Sequence, residues 1–374
     1  MPTILEYFEG HQVIIVSAAP GSGKSSVLPW CLARSGYGPV ICAQPRHFAA
    51  TVAAAKAGEE WERDVAFTTT RRLLGETRPP VVLAAFRAVV IDEAHDRVLG
   101  TARAAVAAGE MGRVRVVVCT ADGPADEDAL SGFFGGAPVV AFHRAAPNPV
   151  LVHYSRGPVL DMLSAVVDEV AEIHGSSTPG DVLAFLPDVV RVEEACHRLE
   201  QLGMPGLVVS RMHDHFPAEF MGDALDPAPS GCTKVVVATD VAETAVRVPG
   251  ITYVVDPGVR SEEPFEMISR EAARRRLGVA GDAGPGHCHR LYMQDNYTGF
   301  EEHNVPAIRR DGSWHAVQAR AHAHETCRMP GFELLGPSGL PELDDVVGQL
   351  VDGGYLDKHT EPTEKAERKA YDED

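Results

Sequence analysis

The sequence predicts an α/β protein in which two tandem domains each contain a mainly parallel sheet. Short apolar runs rich in β-branched residues alternate with amphipathic stretches, and this pattern occurs on both sides of a proline-rich join at 145–149. One of these runs, Val13–Ser17, leads directly into a glycine-bearing loop. Short apolar strands that alternate with helices are typical of parallel sheets covered by helices.

Apolar runs of strand length are predicted throughout the first 290 residues. The predicted strands are Val13–Ser17, Val40–Ala43, Val81–Ala85, Val89–Ile91, Val114–Cys119, Val139–Phe142, Val150–Val152, Val182–Phe185, Leu207–Val209, Val235–Ala238, Tyr253–Val255 and His287–His289. We therefore expect one α/β domain at 1–145 and a second at 146–300. Shorter helical signals, the clearest at Pro341–Leu350, predict a small third unit at 301–374.

Composition restricts the class of protein. The chain has 374 residues, of which 45% are hydrophobic and 23% charged, as in ordinary globular proteins. No apolar run is long enough to span a membrane, and the N-terminus has no secretory pattern, so we expect a soluble protein in the cytoplasm or elsewhere inside the cell, with no membrane partner. The formal charge of −19 disfavours a broad basic surface, so nucleic acid would need a local groove.

Cysteine and histidine give no clear metal pattern. The seven cysteines are scattered singly, without a C-x-x-C pair, and are expected to be small core residues. The segment His287–His289 lies in a predicted strand, where neighbouring residues face opposite sides. We therefore expect no structural metal from the cysteines or the histidines.

The loop at 18–26 has the order of parts needed to bind phosphate. A buried strand is followed by a tight turn whose backbone N–H groups can face a phosphate at a helix N-terminus. Lys24 would supply a cation and Ser25 a hydroxyl for Mg²⁺. The first glycine of the usual pattern is replaced by Ala18, so a simple Gly/Ser turn before a helix is the alternative. The candidate nucleotide ligands are Gly21, Ser22, Gly23, Lys24, Ser25 and Ser26.

Two carboxylates follow the strand Val89–Ile91. Because the carboxyl ends of parallel strands meet at one edge of a sheet, Asp92 and Glu93 are expected beside the phosphate loop. Asp92 could then anchor Mg²⁺ together with Ser25, and Glu93 could polarise a water molecule for attack on a terminal phosphate. A random acidic turn is the alternative interpretation.

Several further segments resemble the DEAH-box family of superfamily 2 RNA helicases. Gln44–Arg46 is similar to the family's T-Q-P-R-R segment, Gly180–Leu186 to G-D-I-L-V-F-L, and Lys234–Thr244 to K-V-V-V-A-T-N-I-A-E-T. Asp92–His95 has the form D-E-x-H. The resemblance implies two RecA-like P-loop domains followed by a winged-helix-like domain.

This resemblance also implies an activity. A family member would hydrolyse ATP or another NTP with Mg²⁺ between its two RecA-like domains and would move on single-stranded RNA. Lys24, Glu93 and His95 would be catalytic, with His95 coupling the site to the second domain, and Arg276 would contact nucleotide. The implied RNA contacts are Arg46, Thr69, Arg71, Thr239 and Thr244. The arginines among them could instead be ordinary surface residues.

The chain also departs from the family pattern. Two arginines of the family's Q-R-x-G-R-x-G-R segment are replaced by Val279 and Asp282, which predicts slow hydrolysis unless Arg274, Arg275 or an activating protein supplies the charge. The Ser-Ala-Thr motif is replaced by Cys119–Ala121. We expect the interval between Asp256 and Ser269 to be too short for the family's strand-separating hairpin. A nucleotide- and RNA-binding scaffold without turnover is therefore the alternative function.

Overall fold

The computed structural model describes residues 2–18, 21–57, 64–70, 72, 85–94, 114–120, 124–142, 148–176, 178, 180–215, 221–243, 246–262, 265–282 and 284–302. These residues divide into two compact units, one ending before the proline-rich join and one following it. The third unit expected at 301–374 lies outside the described residues except for Glu301 and Glu302. Each unit is described by itself.

The first unit contains a six-stranded sheet and four α-helices within the described residues. Its strands are β1 (Val13–Ala18), β2 (Val40–Gln44), β3 (Val65–Thr69), β4 (Ala88–Ile91), β5 (Arg115–Thr120) and β6 (Val139–Phe142). Its helices are α1 (Pro2–Gly10), α2 (Val27–Leu32), α3 (His47–Ala57) and α4 (Pro124–Phe133).

All strand pairs of this sheet are parallel, in the order β3-β2-β4-β5-β1-β6. Every residue of β1, β2 and β4 is buried, because apolar clusters cover both faces of the sheet. This two-sided burial explains why these strands are continuous apolar runs rather than alternating ones. The segments that follow β1, β2, β4 and β5 all emerge at one edge of the sheet.

The second unit contains a parallel six-stranded sheet in the order β7-β14-β11-β8-β10-β9 and a separate pair of strands. Its strands are β7 (Val150–Tyr154), β8 (Asp181–Phe185), β9 (Leu207–Met212), β10 (Thr233–Ala238), β11 (Ile251–Asp256), β12 (Val259–Glu262), β13 (Phe265–Met267) and β14 (Gly286–Arg290). Its α-helices are α5 (Met162–His174), α6 (Val189–Gln201), α7 (Met221–Leu225), α8 (Arg270–Ala280) and α9 (Gln294–Gly299).

Side-chain caps set the starts of three of these helices. Asp161 accepts a hydrogen bond from the N–H of Ser164 at the start of α5, and Asp188 caps α6 in the same way. Ser269 accepts from the N–H of Ala272 at the start of α8. Such caps satisfy N–H groups that have no partner inside the helix.

The short interval after Asp256 forms a small hairpin. Strands β12 and β13 pair in antiparallel fashion, with Glu262 opposite Phe265. Strands of four and three residues suffice for this small hairpin. The expectation concerns the family's strand-separating hairpin, and it stays a prediction. Phe265 is 66% exposed in it.

The predicted α/β architecture with parallel sheets is confirmed. Three strands are absent from the sequence-based prediction: the hairpin strands β12 and β13, and the edge strand β3 (Val65–Thr69), which contains the candidate RNA contact Thr69. The strand predicted at Val81–Ala85 lies outside the described residues except for Ala85, which is in a turn. Among the helices described, none is both long and apolar enough to cross a membrane.

Candidate functional site

The phosphate loop connects β1 to α2 in the first unit. Gly21 and Gly23 have φ angles of 75° and 91°, in the left-handed region that L-residues avoid. A Cβ atom on Gly23 would lie 3.0 Å from Cβ of Val27, so the turn also requires a residue without a side chain at this position. The carbonyl of Gly23 accepts hydrogen bonds from the N–H groups of Ser26 and Leu28. The loop therefore turns tightly into the start of α2.

Lys24 is the cation of this loop. Its side chain is 7% exposed, and its Nζ donates a hydrogen bond to the carbonyl oxygen of Ala18 at the end of β1. A buried ammonium group needs such an acceptor because its desolvation is costly. The contact places the positive charge at the carboxyl end of β1.

Asp92 joins three elements at this edge of the sheet. It follows β4 and is 2% exposed. Its Oδ2 accepts hydrogen bonds from the hydroxyl of Ser25 and from the side-chain amide of Gln44, the latter at 3.1 Å. Its Oδ1 accepts from the backbone N–H of Glu93 at 3.0 Å. The predicted metal pair, Ser25 and Asp92, is thus brought together.

Glu93 has an unusual backbone conformation. Its φ angle is 53°, the only positive value for a residue other than glycine in the described part of the chain, and it is 9% exposed. Such a conformation is unfavourable for a residue with a Cβ and is held here by the neighbouring contacts. The preceding carboxylate, Asp92, is bonded to the hydroxyl of Ser25.

The donors at this edge fit a hard divalent cation. A serine hydroxyl and a carboxylate oxygen are the kind of ligands that Mg²⁺ takes alongside substrate phosphates and water. Ser25 and Asp92 would hold the ion, and the backbone N–H groups of the loop would face the phosphates. The residues present are compatible with an Mg²⁺–nucleotide ligand.

Buried groups lie beneath the site on β2 and β5. Burial, and then the negative charge of Asp92, raises the pKa of both Cys42 and Cys119, so both remain neutral thiols. Thr120 is fully buried at the end of β5, and its hydroxyl makes no hydrogen bond within the described residues. The sequence alone marks Cys119–Ala121 only as a departure from a family motif.

Gln44 belongs to the candidate nucleotide site, although the sequence analysis did not assign it there. The sequence pattern assigns it with Arg46 to an RNA-contacting segment, but its side chain is 2% exposed and bonded to Asp92. The sequence does contain a signal for this position, because Gln44 directly follows an apolar run, as Asp92 does. The two residues meet because β2 and β4 are neighbours in the sheet.

The candidate RNA contacts lie in both units. Arg46 follows β2 and is partly exposed, whereas Thr69 at the end of β3 is 7% exposed and its hydroxyl accepts a hydrogen bond from the N–H of Arg72. Thr69 lies opposite Gln44 in the register of β2 and β3. Thr239 follows β10 in the second unit and is 7% exposed. Arg71, Thr244 and His95 lie outside the described residues, so their roles stay predictions.

Arg276 lies in a buried ionic network of the second unit. Its guanidinium donates to Glu243 at 3.0 Å and to Asp256 at 2.8 Å, and it lies over the ring of Phe185. Burial lowers the pKa of Arg276, but the carboxylates, Asp256 first, more than offset this, so its pKa lies above the ordinary value. Arg276 thus has a structural role within this unit, and its nucleotide contact stays a prediction.

The two arginines that could replace the missing ones are themselves paired with carboxylates. Arg275 pairs with Glu243 and Glu271, and Arg274 pairs with Glu302. Of the two positions that lack the expected arginine, Val279 is only 4% exposed within α8. Asp282 forms an ion pair with Arg247.

Comparisons with known proteins agree with this geometry. A family model described as the helicase conserved C-terminal domain matches residues 162–278. The pre-mRNA-splicing factor ATP-dependent RNA helicase prp22 of Schizosaccharomyces pombe is 29% identical over 357 residues, which cover 84% of this chain. The chain is therefore similar to DEAH-box helicases of superfamily 2. Its two parallel-sheet units resemble the RecA-like domains of such helicases.

A solved structure supports the same fold. The crystal structure of the Escherichia coli DEAH/RHA helicase HrpB aligns with 98% of this chain at a TM-score of 0.77 and 22% identity. The chain covers 51% of HrpB and 30% of the S. pombe protein. It thus spans only part of the length of these DEAH-box relatives.

Proposed function

We propose that this chain is an NTP-dependent, RNA-stimulated motor of the DEAH-box type that hydrolyses ATP or another NTP with Mg²⁺ at the edge of its first sheet. The observation that carries the proposal is the convergence of Lys24, Ser25 and Asp92 there, with Glu93 beside them. Two ends of parallel strands and a phosphate loop supply these groups, which is the usual place for a ligand in such sheets.

Each residue has a separate part in the proposed reaction. Lys24 places a positive charge against the terminal phosphates, and the loop N–H groups hold them in position. Bound Mg²⁺, held by Ser25 and Asp92, would neutralise charge on the phosphate oxygens. Glu93 orients a water molecule and accepts its proton. His95 is proposed to couple this site to the second domain.

Single-stranded RNA is the proposed partner. The family resemblance and the name of the S. pombe relative support it, as does the position of Arg46 and Thr69 at the same edge of the sheet as the nucleotide site. Because phosphate contacts would dominate, affinity should fall steeply with salt and show little sequence preference. The same relative, a splicing factor, supports an intracellular location as a further proposal.

A scaffold without appreciable turnover is the second candidate. Val279 and Asp282 favour it, because they stand where the family pattern has arginines that would contact a terminal phosphate. The pairing of Arg274 and Arg275 with carboxylates favours it as well. We propose that hydrolysis by the isolated chain is slow and that an activating protein supplies the missing charge. Loss of such a charge reduces rates on the order of 10³–10⁵-fold in other phosphoryl-transfer enzymes.

Phosphate release distinguishes the two candidates. The rate is measured with saturating Mg²⁺–ATP, with and without single-stranded RNA, for the wild type and for Glu93→Gln. The motor predicts RNA-stimulated release that Glu93→Gln reduces on the order of 10²–10⁴-fold, with nucleotide affinity retained. Glu172→Gln, an exposed change on α5, is the control and should keep the wild-type rate. Equal rates for wild type and Glu93→Gln would exclude the motor.

A further inference from the structure

Three histidines lie together on one face of the second sheet. His153 is on the edge strand β7, and His287 and His289 are on the neighbouring strand β14, with His289 directly opposite His153. Residues two apart in a strand share a face, so His287 and His289 point to the same side and Cys288 to the other. The sequence-based argument against a shared ion compares neighbouring residues and overlooks this pair.

The spacing of the three imidazoles approaches that of a metal site. Nε2 of His153 lies 3.2 Å from Nδ1 of His287, and one nitrogen from each of the three rings lies within 4.8 Å of the others. In a tetrahedral Zn²⁺ site with bonds of about 2.0–2.1 Å, ligand nitrogens are roughly 3.3 Å apart. Two nitrogens therefore already have the required separation, and the third lies within 4.8 Å of them.

His289 already has the hydrogen bond that orients a metal ligand. Its Nδ1 is 2.6 Å from Oε1 of Glu169 on α5, whereas its Nε2 is buried and makes no hydrogen bond within the described residues. A carboxylate that holds one ring nitrogen while the other faces the metal is the usual second layer around such sites. The buried and unpaired Nε2 is thus the nitrogen available to a metal ion.

Ring stacking brings these groups into one cluster. The ring of His153 stacks on His289 at 4.5 Å, and Tyr253 stacks on His287 at 5.0 Å. The hydroxyl of Tyr253 donates to the carbonyl of Thr178 at 2.6 Å, which fixes that ring. His153 is exposed, so its imidazole can turn toward the other two.

We propose that His153, His287 and His289 bind one divalent transition-metal ion, with Zn²⁺ as the first candidate and Glu169 as the group that positions His289. Imidazole nitrogen suits Zn²⁺, Ni²⁺ and Cu²⁺, whereas Mg²⁺ prefers oxygen. The site belongs to the second unit and differs in chemistry from the oxygen ligands at Asp92 in the first unit. A bound ion would clamp the edge strand β7 to β14 and, through Glu169, to α5.

Zn²⁺ binding to the tag-free full chain tests this proposal. Zn²⁺ is titrated against a chromophoric chelator in excess Mg²⁺ and a thiol-free reductant. We expect one tight equivalent in the wild type and its loss in His153→Gln/His287→Gln/His289→Gln. The control changes three exposed histidines elsewhere, His11→Gln/His47→Gln/His197→Gln, and should bind like the wild type.

A milder variant covers the case in which the triple variant does not fold. Glu169→Gln keeps all three ligands and should weaken Zn²⁺ affinity about 10- to 100-fold, whereas the exposed Glu172→Gln should not. X-ray absorption of the bound Zn²⁺ should show nitrogen rather than sulfur among the atoms bonded to the metal. Equal affinity in the wild type and the folded triple variant, no binding by the wild type, or a sulfur signal would each overturn the proposal.

Discussion

The side-chain amide of Gln44 donates a 3.1 Å hydrogen bond to Oδ2 of Asp92, the oxygen that also accepts a hydrogen bond from the hydroxyl of Ser25. The amide therefore lies behind the predicted metal ligand and orients it. Both Gln44 and Asp92 are 2% exposed, so the amide reaches the site through this carboxylate.

Removing this amide should raise the Mg²⁺ concentration that nucleotide binding requires. In Gln44→Ala, we expect the Mg²⁺ concentration for half-maximal nucleotide binding to rise about 10- to 100-fold, because groups that orient metal ligands have effects of this size. The measurement is a fluorescent-nucleotide titration at several Mg²⁺ concentrations. Gln294→Ala, an exposed change, is the control. An unchanged Mg²⁺ requirement with weaker RNA binding would instead support the RNA-contacting role that the sequence predicts for this segment.

Nucleotide binding should depend on the buried ammonium of Lys24. We expect Lys24→Ala to lose roughly 2–5 kcal/mol of nucleotide binding free energy, because a buried charged partner of the phosphates is removed. Calorimetric titration with Mg²⁺–ATP measures this loss. Arg34→Ala removes an exposed cation after α2 and should bind as the wild type does. Wild-type affinity in Lys24→Ala would show that the phosphates bind elsewhere.

Asp282 and Arg247 should be energetically coupled. Their side chains are 18% and 27% exposed and form an ion pair, so Asp282→Arg places two arginines side by side. We expect this variant to lose about 1–3 kcal/mol of unfolding free energy. The charge-swapped Arg247→Asp/Asp282→Arg should recover most of it. Denaturant unfolding of the single and double variants measures the coupling, and additive effects would argue against the pair.

The surroundings of Val279 and Asp282 affect any attempt to restore the two missing arginines. Val279 is 4% exposed, so Val279→Arg would bury a charge in the core of the second unit. Slow NTP hydrolysis in a variant with arginine at both positions could therefore result from a disturbed fold rather than from impaired catalysis. The single substitution Asp282→Arg, tested together with the charge swap above, avoids this confusion.

Alkaline conditions should destabilise the second unit through Tyr292. Burial, and then the charge of Asp256, raises the pKa of Tyr292 above 10.0, its ordinary value. The unfolded chain then loses the phenol proton at about pH 10 while the folded chain keeps it. The stabilisation is complete below this pH and is lost as pH rises, by up to about 1.4 kcal/mol per unit.

Tyr292→Phe isolates this contribution. Buried cysteines also favour folding of the protonated form, but they are present in both proteins and cancel in the comparison. We expect the variant to be about 1–2 kcal/mol less stable near neutral pH, because the 3.0 Å hydrogen bond to Asp256 is lost, and to decline less steeply above about pH 10. Tyr7→Phe, at an exposed ring, should decline like the wild type. Parallel pH profiles for wild type and Tyr292→Phe would refute the assignment.

Local patterns in the sequence determined the α/β class, the phosphate loop and the order Asp92-Glu93, because buried strands, tight turns and strand ends leave signals within a few residues. Only the tertiary structure decided which side chains meet: Gln44 with Asp92, Arg247 with Asp282, and His153 with His287 and His289. These partners are 48, 35 and 134 or more residues apart. Their contacts depend on which strands are neighbours in each sheet and which faces they share, and neither is contained in local periodicity.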